Sequence, residues 1–172
     1  CIRDRLIPWF TVCAAVASQA NGPSVEFRAP TVPPKESYMV DARFDAESGV
    51  LAGRAVVEVT GTATPLALLL FRGSNLAALS LRAGDDEIQL SPTRDENGTA
   101  LVRARLPQPL SAGQRLRLTA EFRTTLREQG DAFRSTSWFP RLWWGFATHA
   151  DFDVALHVPD DFAVATSGRR DE

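Results

Sequence analysis

Between positions 115 and 122 apolar and polar residues alternate without a break. Leu116, Leu118, Ala120 and Phe122 share one parity; Arg115, Arg117, Thr119 and Glu121 share the other. An extended strand sends successive side chains to opposite faces, so this order makes a sheet with one apolar and one wet face. A helix would scatter the arginines around its circumference. The same period recurs along the chain. Tyr38, Val40, Ala42 and Phe44 form one set, and Leu51, Gly53, Ala55, Val57 and Val59 another, with Arg54 and Glu58 opposite. Ala100, Val102, Ala104 and Leu106 alternate with Arg103 and Arg105. Phe152, Val154, Leu156 and Val158 alternate with Asp151, Asp153 and His157, which predicts a further strand with its apolar set facing in.

The run 67–71 is continuously apolar and, at five residues, fits a strand covered on both faces. Turn chemistry separates these runs at 45–49, at Gly84-Asp85-Asp86 between Leu81 and Ile88, and at Asn97-Gly98, where positive φ is tolerated. Residues 162–166 read as a last short strand. The pattern predicts an all-β domain of about nine strands, a sandwich or curved antiparallel sheet, with no helix. A chain of 172 residues with 44% hydrophobic and 23% charged residues is long enough to bury a core without metal or cross-link. Its net charge of −2 offers no field for a phosphate backbone, so nucleic acid is not expected as a partner. All but Lys35 of the 19 basic residues are Arg, scattered rather than converging.

The first 20 residues read as a secretory leader. Arg3 and Arg5 precede an apolar run from 6 to 17 broken only by Pro8 and Thr11, and small residues end at Ala17 and Ala20. A dozen residues fall short of the ~20 that a membrane-spanning helix needs, so no transmembrane span is expected and the chain is expected in the periplasm or outside the cell. Both cysteines, Cys1 and Cys13, lie in this leader, which leaves disulfide arithmetic silent about the fold. Residues 21–37, with Pro23, Pro30, Pro33 and Pro34, read as an extended lead-in, and 38–172 as the folded domain. Arg169-Arg170-Asp171-Glu172 closes no element and reads as a cut end.

Templates for catalysis are absent: there is no His-Glu-x-x-His, Gly-x-Ser-x-Gly, phosphate loop or Cys-x-x-Cys. His149, Asp151, Asp153 and His157 share a parity, and neighbours two apart stand about 7 Å from each other. Such a pair could flank a cation, but the set reads as the wet face of a strand. Asp85-Asp86-Glu87 lacks the six oxygens that calcium requires, and Asn97-Gly98-Thr99 is a glycosylation sequon on an expected turn. Aromatics crowd into one segment: Phe133, Trp138, Phe139, Trp143, Trp144 and Phe146. Buried, they would form a seam between sheets or domains. Exposed, Trp138, Trp143 and Trp144 would make the face of an extracellular module that binds glycan or protein.

The order of the pieces is more specific than any one of them. Tyr38-x-Val40-x-x-x-Phe44-Asp45 is followed by Leu51-Ala52-Gly53-Arg54-Ala55, Leu68-Leu69-Leu70-Phe71 and Trp138-Phe139-Pro140. Asp151-Phe152-Asp153-Val154 and then Val158-Pro159-Asp160-Asp161-Phe162-Ala163-Val164-Ala165-Thr166-Ser167-Gly168 complete it. This order resembles the N-terminal β-domain of the M1 zinc metallopeptidases, the membrane alanyl aminopeptidase type, across 38–168. The resemblance implies a saddle-like sheet domain without catalytic residues or a metal site of its own. It implies zinc in a catalytic domain beyond residue 172, which would be this chain's partner, and a peptide as substrate. Gln129 and Asp131 occupy the spacing before Phe139-Pro140 at which the family places a substrate-contacting Gln-x-Glu pair, with Asp in place of Glu. The resemblance makes Trp138, Phe139, Trp143 and Trp144 the candidate interface with the catalytic domain. The Arg before Phe-Pro and the Cys-Phe-Asp-Glu-Pro continuation are replaced here by Ser137-Trp138 and by Arg141-Leu142-Trp143-Trp144.

Overall fold

A computed structural model describes residues 30–32, 34–73, 76–94, 100–130, 132–135, 137–145 and 149–164. The leader, most of the lead-in, the Asn97-Gly98 turn, Asp131, Phe146 and the last eight residues lie outside this set. The described residues form twelve strands and no helix, so none of them belongs to a helix long and apolar enough to cross a membrane.

The larger sheet joins β12 (Ala150–His157), β1 (Glu36–Asp45), β2 (Val50–Thr60), β8 (Arg115–Thr125), β4 (Leu76–Ala83) and β5 (Asp86–Glu87) in that order. The period-two sets fall on one face. Val40 pairs with Ala55, which pairs with Ala120, which in turn faces Leu81; Tyr38, Val57 and Leu118 make the adjacent row. All seven are at most 2% exposed. The second sheet runs β11 (Arg141–Leu142), β3 (Leu66–Arg72), β7 (Ala100–Leu110) and β6 (Leu90–Arg94). Leu69 and Phe71 of β3 and Ala104 of β7 meet the first sheet's apolar face, so the core lies between two layers. β3 is buried along almost its whole length, as its unbroken apolar run predicts.

Two glycines shape the β1–β2 hairpin. At Gly53 the backbone of β1 comes so close that a Cβ would lie 2.7 Å from the Ala42 Cα and closer still to the Asp41 carbonyl oxygen. Only a residue without a side chain fits there. The β1–β2 turn holds Gly49 at φ 64°. The Ser48 hydroxyl donates to Asp45 at 2.6 Å and holds that carboxyl below its usual range.

Three expectations need correction. The sheet is mixed rather than wholly antiparallel, because β12 runs parallel to β1, with Tyr38 beside Phe152 and Ala42 beside Leu156. The apolar parity of β12 is only partly covered: Leu156 packs against the core, but Phe152, stacked on Tyr38 with Arg141 of β11 over its ring, and Val154 are each 44% exposed. Residues 162–164 are not a strand. The chain turns at Pro159, whose carbonyl accepts the Phe162 N–H, and Phe162 folds back edge-on to Phe44, 5.5 Å between ring centroids.

Candidate functional site

The segment 137–144 crosses from the hairpin of β9 (Arg127–Gln129) and β10 (Ala132–Arg134) to the seam between the two sheets, and its backbone has no long ladder of its own. Buried polar groups hold it instead. The Thr124 hydroxyl, at the end of β8, donates to the Trp138 carbonyl at 2.7 Å. The Leu142 N–H donates to the Tyr38 hydroxyl at 2.9 Å, and that hydroxyl donates to Glu36 Oε2 at 2.8 Å. Trp144 Nε1–H points at the same oxygen from 3.4 Å, and the Trp143 N–H donates to Leu70 of β3 at 2.8 Å. Glu36 and Thr124 are the two polar residues buried among the described residues. Both therefore serve to pin the aromatic connector. Burial, followed by the negative charge of Glu36, raises the pKa of the Tyr38 phenol well above its ordinary value.

The aromatic rings divide between inside and outside. Trp144 is 1% exposed and Phe139 is buried. Phe139 packs edge-on against Tyr38 (5.9 Å), Trp138 (4.8 Å) and Phe152 (6.0 Å). Trp138 and Trp143 are half-buried, and Phe152 is half-exposed with the Arg141 guanidinium over its ring at 4.8 Å. Of the four candidate interface residues, then, Trp138 and Trp143 keep part of their surface exposed, while Phe139 and Trp144 are buried. A flat three-tryptophan platform for a glycan does not form, because the Trp144 ring is in the core.

Gln129 ends β9 (Arg127–Gln129), which pairs antiparallel with β10 (Ala132–Arg134), and Gly130 after it has φ 66°. Gln129 is exposed at the hairpin tip; Asp131, its intended companion, lies outside the described residues. Phe133 anchors the hairpin by packing 4.8 Å from Phe44 and 6.2 Å from Phe162. The tip thus projects from a fixed base, on the same connector that leads into the tryptophans.

The remaining candidates are dispersed. His149, Asp151, Asp153 and His157 are all exposed, and His157 Nε2 lies 3.2 Å from Asp41 Oδ1. Among the described residues no three His, Cys, Asp or Glu side chains converge, so the residues present do not fit a zinc ion. Asp85 sits in an exposed turn where its carbonyl accepts from Arg82 at 2.7 Å. Sequence reasoning missed the Glu36–Tyr38 pair, because Glu36 falls in the proline-rich lead-in by composition. It also missed an open trough of about 620 Å³ on the wet face of the larger sheet, lined by Asp41, Arg54, Ser80, Glu121 and Arg123. The alternation of charges along β1, β2 and β8 was its only signal.

No protein-family profile and no curated relative matches the chain. Solved structures do match its fold. The M1 zinc metallopeptidase of Deinococcus radiodurans bound to a Tyr-Ser-Ala substrate superposes with a TM-score of 0.57 at 17% identity, over 79% of this chain and 35% of that one. A second structure of the M1 zinc metallopeptidase from Deinococcus radiodurans gives 0.53 at 20% identity, over 78% and 34%. Leukotriene A4 hydrolase from Saccharomyces cerevisiae gives 0.54 at 13% identity, over 73% and 24%. The chain thus spans about a third or less of the length of these proteins, and at these identities the likeness is one of fold.

Proposed function

We propose that this chain is the non-catalytic N-terminal domain of an exported M1-like zinc metallopeptidase of the aminopeptidase type. The observation that carries the reading is the fold likeness across 79% of the chain to a metallopeptidase of which it spans 35%. The motif order ending in Trp138-Phe139-Pro140 and the strand after it agrees with it. In this reading the leader at 1–20 directs export, and the protein's zinc lies in a second domain beyond residue 172. There the metal would supply a polarised water for hydrolysis of an N-terminal peptide bond.

This chain's own contribution is binding and positioning. Trp138 and Trp143, with Phe139 and Trp144 behind them, form the flank that packs on the catalytic domain. The hairpin tip carries Gln129 and Asp131 toward the substrate's free amine, where an amide oxygen and a carboxylate accept hydrogen bonds from an ammonium. The test is the full product of the gene. It is expected to bind zinc and release N-terminal residues from peptides, with Gln129→Ala raising KM several-fold while leaving kcat and thermal stability near wild type. A gene product that neither binds zinc nor cleaves peptides would refute the reading.

A further inference from the structure

The trough on the wet face of the larger sheet, about 620 Å³ in volume, crosses the strands rather than following them. Gly53 and Phe122 lie between two outward rows of side chains and give it a floor of backbone. One bank is the row Asp41, Arg54, Glu121 and Ser80, contributed by four adjacent strands. On the other bank Ala52 pairs with Arg123, and the short alanine leaves the β2 crossing open. All four strands lie inside the six-stranded order, so no unpaired edge creates the opening. The charges along it are not internally neutralised. Among the described residues Glu121 and Arg123 form no ion pair, although they flank the trough on one strand, and Arg54 reaches only the Thr119 hydroxyl, at 3.5 Å. Asp41 lies against His157 at 3.2 Å.

We propose that this trough binds a small zwitterion whose carboxylate and primary ammonium stand about one strand spacing apart, the charge pattern of a dipeptide. Arg54 and Arg123 occupy opposite banks on neighbouring strands, so a carboxylate in the gap beside Ala52 can accept from both guanidinium forks. Glu121 lies one strand farther along, at a spacing of about 4.8 Å, and accepts from the ammonium; the Ser80 hydroxyl beyond it offers another acceptor. An extended dipeptide spans up to about 7 Å and a single residue about half that, so the dipeptide reaches both poles and a free amino acid does not. A simple anion meets Glu121 as well as the two arginines, and a simple cation meets the arginines as well as Glu121. Discrimination therefore comes from carrying both charges in this order. The four charged groups are exposed, so solvent screening keeps binding weak, with a Kd on the order of 1 mM. The ligand class follows from the charge pattern and is independent of the zinc-domain reading.

The test is an amide NMR titration of the 172-residue chain with glycylglycine and with two blocked forms of it. N-acetyl-glycylglycine lacks the ammonium, and glycylglycinamide lacks the carboxylate. Glycylglycine is expected to give saturable shifts confined to 52–54, 80 and 121–123, and each blocked form to bind at least about five-fold more weakly. Arg123→Gln and Glu121→Gln each weaken glycylglycine several-fold; both sites are exposed, and circular dichroism checks that the variants fold. Arg117→Gln, on the same face but outside the trough and beside Glu58, leaves binding unchanged. Shifts that never saturate, a blocked form that binds as well as glycylglycine, or indifference to Glu121→Gln would overturn the proposal. So would an equal loss in Arg117→Gln and Arg123→Gln, which would reduce the effect to the net charge of the face. No arm of the test involves zinc or peptide cleavage, so its failure and the failure of the zinc-domain reading are separate results.

Discussion

Removing one oxygen, by Tyr38→Phe, probes the clasp that holds the aromatic connector. The ring keeps its packing, stacked on Phe152 at 5.0 Å and edge-on to Phe139, so the change isolates the hydroxyl. That hydroxyl makes two buried hydrogen bonds, to Glu36 Oε2 at 2.8 Å and from the Leu142 N–H at 2.9 Å. A bond to a charged acceptor contributes ~1.5–3 kcal/mol, and a buried N–H left unpaired costs ~1–3 kcal/mol. The two share one atom and are not additive, so the net loss is about 3 kcal/mol. For a domain of this size that lowers Tm by roughly 10 °C. Urea unfolding followed by tryptophan fluorescence measures it, and the connector's own Trp138, Trp143 and Trp144 report whether the segment loosens before the sheets. A Tyr38→Phe variant within about 1 kcal/mol of wild type would refute the claim that this network holds the connector.

Because Tyr38 is the sole tyrosine, tyrosinate absorbance reports it alone. Its folded pKa is raised, so the stability linked to it is intact below the unfolded value near 10 and falls as pH rises beyond it; the absorbance should appear only with alkaline unfolding. A normal titration in the folded chain would contradict its burial. Gly53→Ala drives a methyl group into the β1 backbone at Asp41 and Ala42, where no flexible side chain can yield, and should cost about 3 kcal/mol or more in chemical denaturation. By contrast, the Arg117–Glu58 pair, 3.5 Å apart and well exposed, should be nearly silent: Arg117→Ala shifts unfolding by under ~0.5 kcal/mol, most visibly at low salt.

The strands were legible wherever one face is buried and the other wet. In β1, β2 and β8 the parity of Tyr38, Val57 and Leu118 and their neighbours already implies both the sheet and its inner face. The same pattern misled at β12, because alternation says which residues share a face but not whether anything covers it. Phe152 and Val154 sit on the apolar side of an edge strand, and only the tertiary placement of the second sheet leaves them half open. Parallel pairing of β1 with β12 joins residues more than a hundred positions apart and has no local signature. Glu36 was hidden for a similar reason: its worth lies in Tyr38, Leu142 and Trp144, two of which arrive from across the chain. Trp138-Phe139-Pro140, in turn, was conspicuous as composition, yet which rings face inward depends on backbone bonds from Thr124 and to Leu70.

The proposed docking of the connector and its hairpin on a zinc-bearing domain can be read by hydrogen exchange, compared between this chain alone and the full gene product. Amides in 127–145 should become markedly slower in the full product, and those on the wet face of β8 should not change. Equal exchange in 127–145 in both forms would contradict it.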